Sequence, residues 1–512
     1  MKIPKHKPMR GSASKRWILA GLMLTMSLAA MDTTIVSTAI PEIVAELGGF
    51  SAFSWVFSIY LLAQTVTIPI YGKLADMKGR KPILLLGIGL FLVGSAASGL
   101  AWNMLALIVF RGLQGLGAGS IMATVNTLAA DLYEIRERAR IQGWLSSVWG
   151  IAAITGPAIG GALVEYVSWR WIFFINLPIG LLAFWLFIVF LHEQTKSSAQ
   201  QIDVWGAMLI FCSAALWIVA LLESGQAWPW VSVPGIGLPV LALVLMILIY
   251  WIEQRVAEPM MPVWVWRQRI LAGANLSMIL MGAIMMGPSM FLPLFVQSGL
   301  AGSAMLAGFI LASSSIGWPI ASAYSGHLYL SIGFRNTALI GALLICCAAV
   351  IFLCLPMPMP VWSLFADQIL LGAGFGLLST PLLVGVQAMV PWQQRGVVTG
   401  NNIFSRYFGQ SIGAALMGGI FNASFRHHLS EHAAAWPAAS GQTVDNLLHQ
   451  IMEEHLPTAM LHSLRQSLHA ATFSVYGAMA IAAFFTILIL CLIPAHFPIL
   501  TEDVSSPEKT TA

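Results

Sequence analysis

Asp32 is the residue of this sequence that places the strongest demand on its surroundings. It lies inside an apolar run, residues 17–40, that is long enough to cross a lipid bilayer. A carboxylate at membrane depth costs about 3 kcal/mol or more unless it faces protein or water, so we interpret Asp32 as a functional residue. The chemistry open to such a carboxylate is the uptake and release of a proton.

Arg111 is the expected partner of this carboxylate. It stands about eight residues, or ~12 Å, inside the apolar run 103–127, which is too deep for its guanidinium to reach the membrane surface. Asp32 stands ~22 Å from the start of its own run, which crosses in the opposite direction, so the two residues lie at a comparable depth. Burial opposes ionisation of the carboxyl group and a nearby arginine favours it. Such a balance suits an acid that exchanges protons near neutral pH.

A permanent ion pair that only packs the helices is the alternative for these two residues. We favour the functional interpretation, because charge pairs buried in lipid are costly and rarely the cheapest way to pack helices. Thr25, Ala29 and Asp32 also share a helix face of small side chains, which lets that face line a crevice.

The elements that must position these residues are membrane-spanning helices. Of the 512 residues, 58% are hydrophobic and only 9% are charged, which is too little charge to cover a soluble protein of this size. The sequence contains fourteen apolar runs of about the ~20 residues that a span needs: 17–40, 53–71, 83–101, 103–127, 141–164, 171–191, 205–222, 233–252, 270–296, 303–325, 336–356, 361–389, 397–423 and 471–494. The first run is not a cleaved signal peptide, because it is too long and lacks a small-x-small cleavage site.

The basic residues predict how these runs are oriented. Of the 25 Lys and Arg residues, 20 lie at the termini or in loops on the side of the termini, three lie in loops on the other side and two lie within runs. This asymmetry places both termini in the cytoplasm. We interpret the basic N-terminus as an orientation signal and lipid-surface anchor rather than as an arm that binds nucleic acid.

The two ends of the chain repeat each other at an offset of about 255 residues, and parallel repeats of this kind build two bundles around a cavity. The glycines of run 103–127 correspond to those of run 361–389, and the loop 72–80 parallels the loop 326–335. We therefore expect an all-α polytopic membrane protein. Its predicted parts are a six-helix bundle in 1–200, an inserted hairpin in 201–256, a second six-helix bundle in 257–500 and a disordered tail in 501–512.

Residues 424–470 are the one long loop that the sequence predicts, on the extracytoplasmic side. Seven of the eleven histidines lie in it: His427, His428, His432, His449, His455, His462 and His469. A metal-binding or pH-sensing role and a partly helical solvated cap, as the helical spacing within 447–455 indicates, both stay open. The sequence also leaves open whether a periplasmic adaptor docks there. The five cysteines have no metal-ligand or redox spacing, so we predict no metal site.

The loop after the second run, residues 72–82, reads GKLADMKGRKP. Gly72 and Gly79 allow a tight reversal, Asp76 can satisfy free N–H groups at a helix N-terminus, and Arg80 can pair with it. This order resembles the signature loop of the major facilitator superfamily. The resemblance implies a cytoplasmic latch, with Asp76 as a gating residue rather than a substrate ligand. The copy in the second half of the chain has Leu330 in place of the acid.

The fifth run contains GIAAITGPAIGG, from Gly150 to Gly161. Gly156 and Gly160 form a small-xxx-small pair that permits a close helix contact, and Pro157 bends or weakens the helix. The run resembles the antiporter motif of drug-exporting facilitators, which implies a helix interface that helps to prevent leak. The glycines are then structural.

Three further segments resemble the fourteen-span drug:proton antiporters of the EmrB/QacA type. They are the DTTIV sequence from Asp32 with the nearby Pro41, the segment 169–180, and the segment 406–413. The resemblance covers nearly the whole chain. It implies fourteen rather than twelve spans, and it implies that Asp32 and Arg111 couple proton movement to transport.

Six polar or aromatic residues are candidates for a cavity between the bundles, chosen by position alone: Tyr60, Gln64, Asn126, Trp149, Asp367 and Arg406. Arg406 lies ~14 Å inside its run. It lines the cavity or hydrogen-bonds to carbonyl groups, and we favour the first. For Asp367, next to Gln368 at the repeat position of Arg111, a second cation site and a half-solvated cap are equally supported.

The sequence lacks the signatures of a nucleotide-driven pump and of an enzyme. There is no GxxxxGK[ST] pattern, no soluble domain large enough for an ATPase and no nucleophile–base constellation. Energy must then come from an ion gradient, without a cofactor. With the resemblance, this predicts a proton-coupled exporter of small hydrophobic or amphipathic compounds in the bacterial inner membrane, of the kind that confers antibiotic resistance. The alternatives are a dedicated exporter or importer of a single metabolite or antibiotic, and a non-transporting sensor that reads pH or metal through the histidine-rich loop.

Overall fold

The computed structural model describes residues 12–48, 54–193, 204–224, 228–229, 231–255, 262–300, 302–355, 359–431 and 458–500. Within these ranges the chain is α-helical, without a β-strand. The helices are α1 (Ser12–Ile35), α2 (Ile40–Leu47), α3 (Ser54–Lys78), α4 (Arg80–Gly99), α5 (Met104–Leu132), α6 (Ile135–Tyr166), α7 (Trp171–Phe174), α8 (Asn176–Phe190), α9 (Val204–Glu223), α10 (Val233–Glu253), α11 (Val263–Arg267), α12 (Arg269–Leu294), α13 (Ala304–Ala312), α14 (Ser314–Ile332), α15 (Phe334–Cys354), α16 (Val361–Ala388), α17 (Arg395–Glu431) and α18 (Thr458–Leu492).

Twelve candidate membrane spans occur in the described part of the chain, some of them formed by two consecutive helices. They coincide with twelve of the fourteen predicted runs. The other two runs are also helical, but the apolar part of α9 is shorter, Trp205–Leu221, and α17 is long but polar over much of its length. The structure thus gives twelve spans, and a crossing of the membrane by α9 and α17 stays a prediction.

Two hydrophobic cores divide these helices into two bundles. The first core joins α1, α3–α6 and α8, and the second joins α12–α16 and α18 with much of α17. A few side chains cross over: Ile403, Phe404 and Tyr407 of α17 pack into the first core, and Ala139 of α6 packs into the second. The bundles therefore meet along α6 and α17.

Glycines allow the two bundles to touch at the end of the molecule where α3 passes into α4, which we call the Asp76 end. A Cβ atom added to any of four glycines would collide with the other bundle; the pairs are Gly72 with Gly396, Gly143 with Ala323, Gly150 with Ser315, and Gly326 with Ala139. Such small residues permit close helix contact without a hydrophobic driving force. Toward the opposite end α6 packs far less against α13 than it does against α14. The bundles are therefore closed against each other at the Asp76 end.

The inserted hairpin α9–α10 lies beside the two bundles. Ser213 of α9 donates a hydrogen bond to the carbonyl of Ala242 in α10 at 3.0 Å, and α9 packs against α3 and α17. Most of α10 is exposed and apolar, as expected of a helix that faces lipid.

The loop predicted over 424–470 is shorter than the sequence indicated. Helix α17 continues to Glu431 and α18 begins at Thr458, so both ends of the predicted loop are helical extensions. This places His427 and His428 on α17 and His462 and His469 on α18. The remaining three histidines and the predicted cap at 447–455 lie outside the described residues, as does the tail from residue 501.

Candidate functional site

Asp32 of α1 forms a buried polar cluster with Arg111 and Gln114 of α5, which we call the Asp32 cluster. The carboxylate Oδ2 accepts a hydrogen bond from Arg111 Nη1 at 2.6 Å, and Oδ1 accepts one from Gln114 Nε2 at 2.8 Å. Arg111 Nη1 also donates to Gln114 Oε1 at 2.8 Å. All three residues are 0% exposed. Both carboxylate oxygens have donors and the charge has a partner, which is the condition for an ion to stay buried.

Arg111 is also held by groups other than the carboxylate. Its Nε donates to the carbonyl of Val56 at 3.3 Å. Its guanidinium carbon lies 4.2 Å from the ring centroid of Tyr60 and 5.9 Å from that of Phe173, within the range of cation–π attraction. Arg111 is therefore anchored by neutral groups as well as by the carboxylate of Asp32.

The sequence motif on α6 brings this helix against α1 beside the Asp32 cluster. Thr34 donates to the carbonyl of Ala152 at 3.1 Å, and a Cβ atom on Gly156 would collide with the Thr34 hydroxyl. Gly150, at mid-helix, faces Ser315 of the other bundle instead. The motif thus serves two contacts, one within the first bundle and one between the bundles.

The remaining motif positions differ from the expected pattern in one respect. Gly160 is buried, and α6 remains helical through Pro157. A Cβ atom on Gly161 would meet open space. Close packing against the described residues therefore does not explain Gly161, and its place in the motif stays a prediction.

Asp76 caps a helix of the opposite bundle. Its Oδ1 accepts from the backbone N–H of Gly396 at 2.9 Å and its Oδ2 accepts from that of Val397 at 2.8 Å, both in the first turn of α17. Arg80 Nη2 donates to the same carboxylate at 2.7 Å. A carboxylate at a helix N-terminus satisfies free N–H groups and interacts favourably with the helix dipole. The sequence predicted that Asp76 binds a helix N-terminus, and this N-terminus is the start of α17. Because α17 belongs to the other bundle, separation of the bundles breaks these hydrogen bonds.

Arg80 joins both bundles at this end and is 0% exposed. Its Nε donates to Asp131 Oδ2 at 2.9 Å and its Nη1 to the carbonyl of Ala75 at 3.0 Å, while Nη2 reaches the carbonyl of Trp392 at 2.6 Å. The guanidinium carbon also lies 3.7 Å from the Trp392 ring centroid. Asp131 pairs in turn with Arg395 at 3.1 Å. Arg80 and Asp131 therefore contact the opposite bundle together with Asp76.

Gly79 makes the turn that allows this geometry. Its φ of 102° is in the left-handed region, which glycine adopts without strain. After the turn, the N–H groups of Arg80 and Lys81 donate to the carboxylate of Glu193 at 2.9 and 2.8 Å, which caps the start of α4.

The repeated loop in the second half uses different chemistry for the corresponding contact. Gly333 repeats the positive φ, at 89°. Leu330, at the position of Asp76, is exposed, and its neighbour Tyr329 donates to the carbonyl of Ile135 at the start of α6. The neutral hydroxyl of Tyr329 therefore makes this contact instead of a buried acid. The charged contact of Asp76 and Arg80 exists on one of the two related interfaces.

A cavity of about 50 Å³ lies between the bundles, toward the Asp76 end. Residues from both bundles line it: Asn126, Gln142, Ser146, Met278, Trp318, Ser379, Thr380, Leu383, Asn402, Ile403 and Arg406. This volume accepts a few water-sized molecules, whereas sites for drug-sized ligands are typically several hundred Å³. The bundles are thus closed around the centre of the molecule as well as at the Asp76 end.

Two of the six candidate cavity residues line this cavity, Asn126 and Arg406. Tyr60 instead lies against Arg111 in the Asp32 cluster. Gln64 is buried, and Trp149 packs against the first core. Tyr60, Gln64 and Trp149 therefore do not line this cavity, and their assignment to a substrate cavity stays a prediction.

Asp367 lies inside the second bundle rather than in the cavity. Its Oδ2 accepts from Gln368 Nε2 at 3.1 Å, and that nitrogen also donates to the Tyr476 hydroxyl at 3.4 Å. Asp367 is 3% exposed, so a half-solvated cap does not describe it. A second cation site stays a prediction.

Four residues of these sites were not singled out from the sequence: Gln114, Asp131, Gln142 and Asn402. Gln114 carried a usable signal, since it follows Arg111 by one helical turn and so shares its face. Asp131 is an acid just beyond an apolar run, close to the basic loops. Gln142 and Asn402 are neutral amides, and an amide in a helix does not by itself indicate that the residue is buried at a functional site.

A further polar contact lies within the first bundle, at the end opposite to the Asp76 end. The carboxylate of Glu46 accepts from Trp169 Nε1 at 2.6 Å and from Arg170 Nη1 at 2.7 Å. The hydrogen bond from Trp169 lowers the pKa of Glu46, partial burial opposes this effect, and Arg170 adds to the lowering. This contact ties α2 to the start of α7.

Comparison with known proteins identifies relatives over most of the chain. A family model described as the Major Facilitator Superfamily matches residues 22–414. Multidrug resistance protein 3 of Bacillus subtilis (strain 168) is 33% identical over 430 residues, which are 84% of this chain and 84% of that protein. Multidrug transporter protein MdtP of the same strain is 33% identical over 414 residues, 81% of this chain and 76% of that protein.

Solved structures with the same fold are more distant in sequence. The human organic anion transporter MFSD10 superposes with a TM-score of 0.61 at 14% identity, over 93% of this chain and 99% of that one. A bacterial homologue of the iron transporter ferroportin, in an outward-facing state, superposes with a TM-score of 0.59 at 11% identity, over 92% of this chain and 99% of that one. At these identities the likeness shows the fold alone.

Proposed function

The chain belongs to the Major Facilitator Superfamily, and from this premise we propose that it exports amphipathic organic compounds in exchange for protons. It is a multi-pass membrane transporter and not an enzyme. Its relatives are multidrug transporters by name, which supports efflux of small organic substrates. The fourteen-span, EmrB/QacA-type assignment belongs to this proposal, as do export, proton coupling and antiport.

The observation that carries the proposal is the buried Asp32 cluster. A carboxylate that is 0% exposed and bound by Arg111 and Gln114 has no need to lie so deep for packing alone. Removing one charge of a buried pair typically costs about 3–5 kcal/mol, because the other charge is left uncompensated. Protonation of Asp32 therefore disfavours the present arrangement and favours one in which Arg111 finds other partners.

In the proposed cycle, the Asp76 end faces the cytoplasm and the present conformation is closed to that side. A proton from outside neutralises Asp32 and weakens its pair with Arg111. The bundles then rock, the cap of Asp76 on α17 breaks, and the cavity opens inward. Release of the proton to the cytoplasm and uptake of substrate restore the charged cluster and allow the return. Proton influx thus drives substrate outward, without a cofactor.

The setting of this cycle is the bacterial inner membrane, with both termini in the cytoplasm and α9 and α17 completing fourteen spans. Export of drugs from the cell would confer antibiotic resistance. The segment 424–470 then lies on the extracytoplasmic side, where a periplasmic adaptor would dock. These assignments follow from the distribution of basic residues and from the bacterial relatives.

An Asp32→Asn variant tests the proposal. Asparagine keeps the size of the side chain and one acceptor oxygen, but it carries no charge and cannot exchange a proton. We expect purified variant in proteoliposomes to lose nearly all transport driven by a pH gradient. Exchange of labelled for unlabelled substrate should persist, since it requires no net proton movement.

Asp367→Asn is the matched control, because Asp367 is also a buried acid within a span but lies outside the Asp32 cluster. It should keep most of the gradient-driven transport. Full coupled transport by Asp32→Asn would show that the proposed cycle is wrong.

A further inference from the structure

The lining of the cavity between the bundles contains one cationic side chain and no carboxylate among the described residues. Arg406 of α17 is its one ionisable residue among those the structure describes, and the other lining groups are amides, hydroxyls and apolar side chains. The amides and hydroxyls are Asn126, Gln142, Ser146, Ser379, Thr380 and Asn402. The apolar part consists of Met278, Trp318, Leu383 and Ile403. No carboxylate of the described helices contributes to this surface.

Arg406 has no acidic partner among the residues that the structure describes. Its Nε is buried and makes no hydrogen bond, and its guanidinium carbon lies 5.2 Å from the ring centroid of Tyr407. Three of the buried acids pair with other arginines: Asp32 with Arg111, and Asp76 and Asp131 with Arg80. Asp367 is bound by Gln368 inside the second bundle. The cation at the cavity wall is therefore uncompensated.

An uncompensated guanidinium in a site with little water attracts an anionic group strongly. Hydrogen bonds between arginine and a carboxylate, sulfonate or phosphate are charge-assisted and can be bidentate. A cationic ligand in the same place would be repelled, with no acid nearby to offset the repulsion. The apolar wall around Trp318 and Met278 suits the hydrophobic part of the same molecule.

We propose that the cavity between the bundles, when it opens to admit substrate, selects amphipathic compounds that carry a negative charge, and that Arg406 binds the anionic group. This inference rests on the proposed export function and names its substrate class. It also agrees with the direction of transport, because an interior-negative membrane potential favours the exit of an anion.

Two dyes with the same xanthene core but opposite charge test the inference: fluorescein, an anion at neutral pH, and rhodamine 123, a cation. Binding to the purified full-length protein is measured by fluorescence polarisation, with the uncharged dye Nile red as a third probe. We expect fluorescein to bind at least about tenfold more tightly than rhodamine 123, in line with the strength of charge-assisted hydrogen bonds. An equal or tighter affinity for rhodamine 123 would overturn the inference.

Variants at two arginines of α17 test whether Arg406 causes the preference for the anionic dye. Arg406→Gln should weaken fluorescein binding about tenfold or more while leaving Nile red binding unchanged, and Arg406→Lys should keep most of it. Arg426→Gln, at an exposed position of α17, should bind all three dyes as the unmodified protein does. Unchanged fluorescein binding by Arg406→Gln, with Nile red binding intact as a sign of correct folding, would contradict the role of Arg406.

Transport of the three dyes into proteoliposomes under a pH gradient separates this inference from the proposed function. Movement of the dyes without a preference for the anion would overturn the inference and leave the export function standing. A binding preference for the anion that depends on Arg406, without any gradient-driven movement, would support the inference and contradict the export function.

Discussion

At the scale of single residues, the energetics of burial in a membrane determine what can be learned from sequence. Asp32 and Arg111 stand out because a charge at that depth needs a partner, and the structure pairs them at 2.6 Å. The sequence did not single out Gln114, although it binds both of them. A neutral amide costs little to bury in comparison, so the signal of its role in the sequence is its spacing of one helical turn from Arg111 and not its burial.

Gln114 is expected to stabilise the charged form of the Asp32 cluster. Gln114→Leu keeps approximately the size of the side chain and removes both of its hydrogen bonds in the cluster. We expect the free energy of unfolding to fall by about 1–3 kcal/mol, because the buried carboxylate loses one donor. Thermal unfolding of the purified protein measures this change.

The comparison that isolates the effect uses Gln114→Leu in the Asp32→Asn background. With the carboxylate already neutral, the substitution should cost less than it does alone. An equal cost in both backgrounds would show that Gln114 does not act through Asp32.

At the scale of helices, the sequence predicted where each helix lies along the chain better than it predicted which face of the helix meets protein. All fourteen predicted runs are helical, but of the candidate cavity residues Asn126 and Arg406 line the cavity between the bundles and the others do not. Helices that are apolar on all sides have no amphipathic stripe to show which face meets lipid and which meets protein. The sequence therefore could not show which side chains of α3 and α6 line the cavity. Gly156 was placed correctly because a small-xxx-small pair identifies a contact face directly.

The Asp76 cap is expected to hold the two bundles together at the Asp76 end. Asp76→Asn removes the charge and weakens three hydrogen bonds, two of which lead to α17. We expect the conformational equilibrium to shift toward opening at this end, so that the cavity becomes accessible from it. A cysteine introduced in place of Ser379, in an otherwise cysteine-free protein, should then react with a maleimide added from the Asp76 side at least several-fold faster.

Glu193→Gln is the control for this measurement. Glu193 is an acid at the same end, but its bonds to Arg80 and Lys81 remain within one bundle. It should leave the labelling rate of the introduced cysteine nearly unchanged. If Asp76→Asn also leaves the labelling rate unchanged, the cap does not control opening.

At the scale of the whole molecule, two repeated bundles use unlike chemistry at like positions. The first bundle places Asp32, Arg111 and Asp76 in buried, charge-paired sites. The second bundle has Gln368 at the repeat position of Arg111 and Leu330 at that of Asp76, with the neighbouring Tyr329 making the contact to the first bundle. The repeat in sequence predicted the two bundles, but it could not show where they meet, because that contact depends on their relative position in one conformation. In the function that we propose, this asymmetry assigns proton exchange to the first bundle and recognition of the substrate's charge to Arg406.

The exchange of a proton for substrate at Asp32 is the central claim, and proton release on substrate binding tests it most directly. Purified protein in weakly buffered solution is mixed with a transported compound at a series of starting pH values, and the pH change is recorded. We predict the release of about one proton per bound substrate from the unmodified protein and none from Asp32→Asn, although both bind the compound. Equal proton release by both proteins, or binding without release by the unmodified protein, would contradict the account.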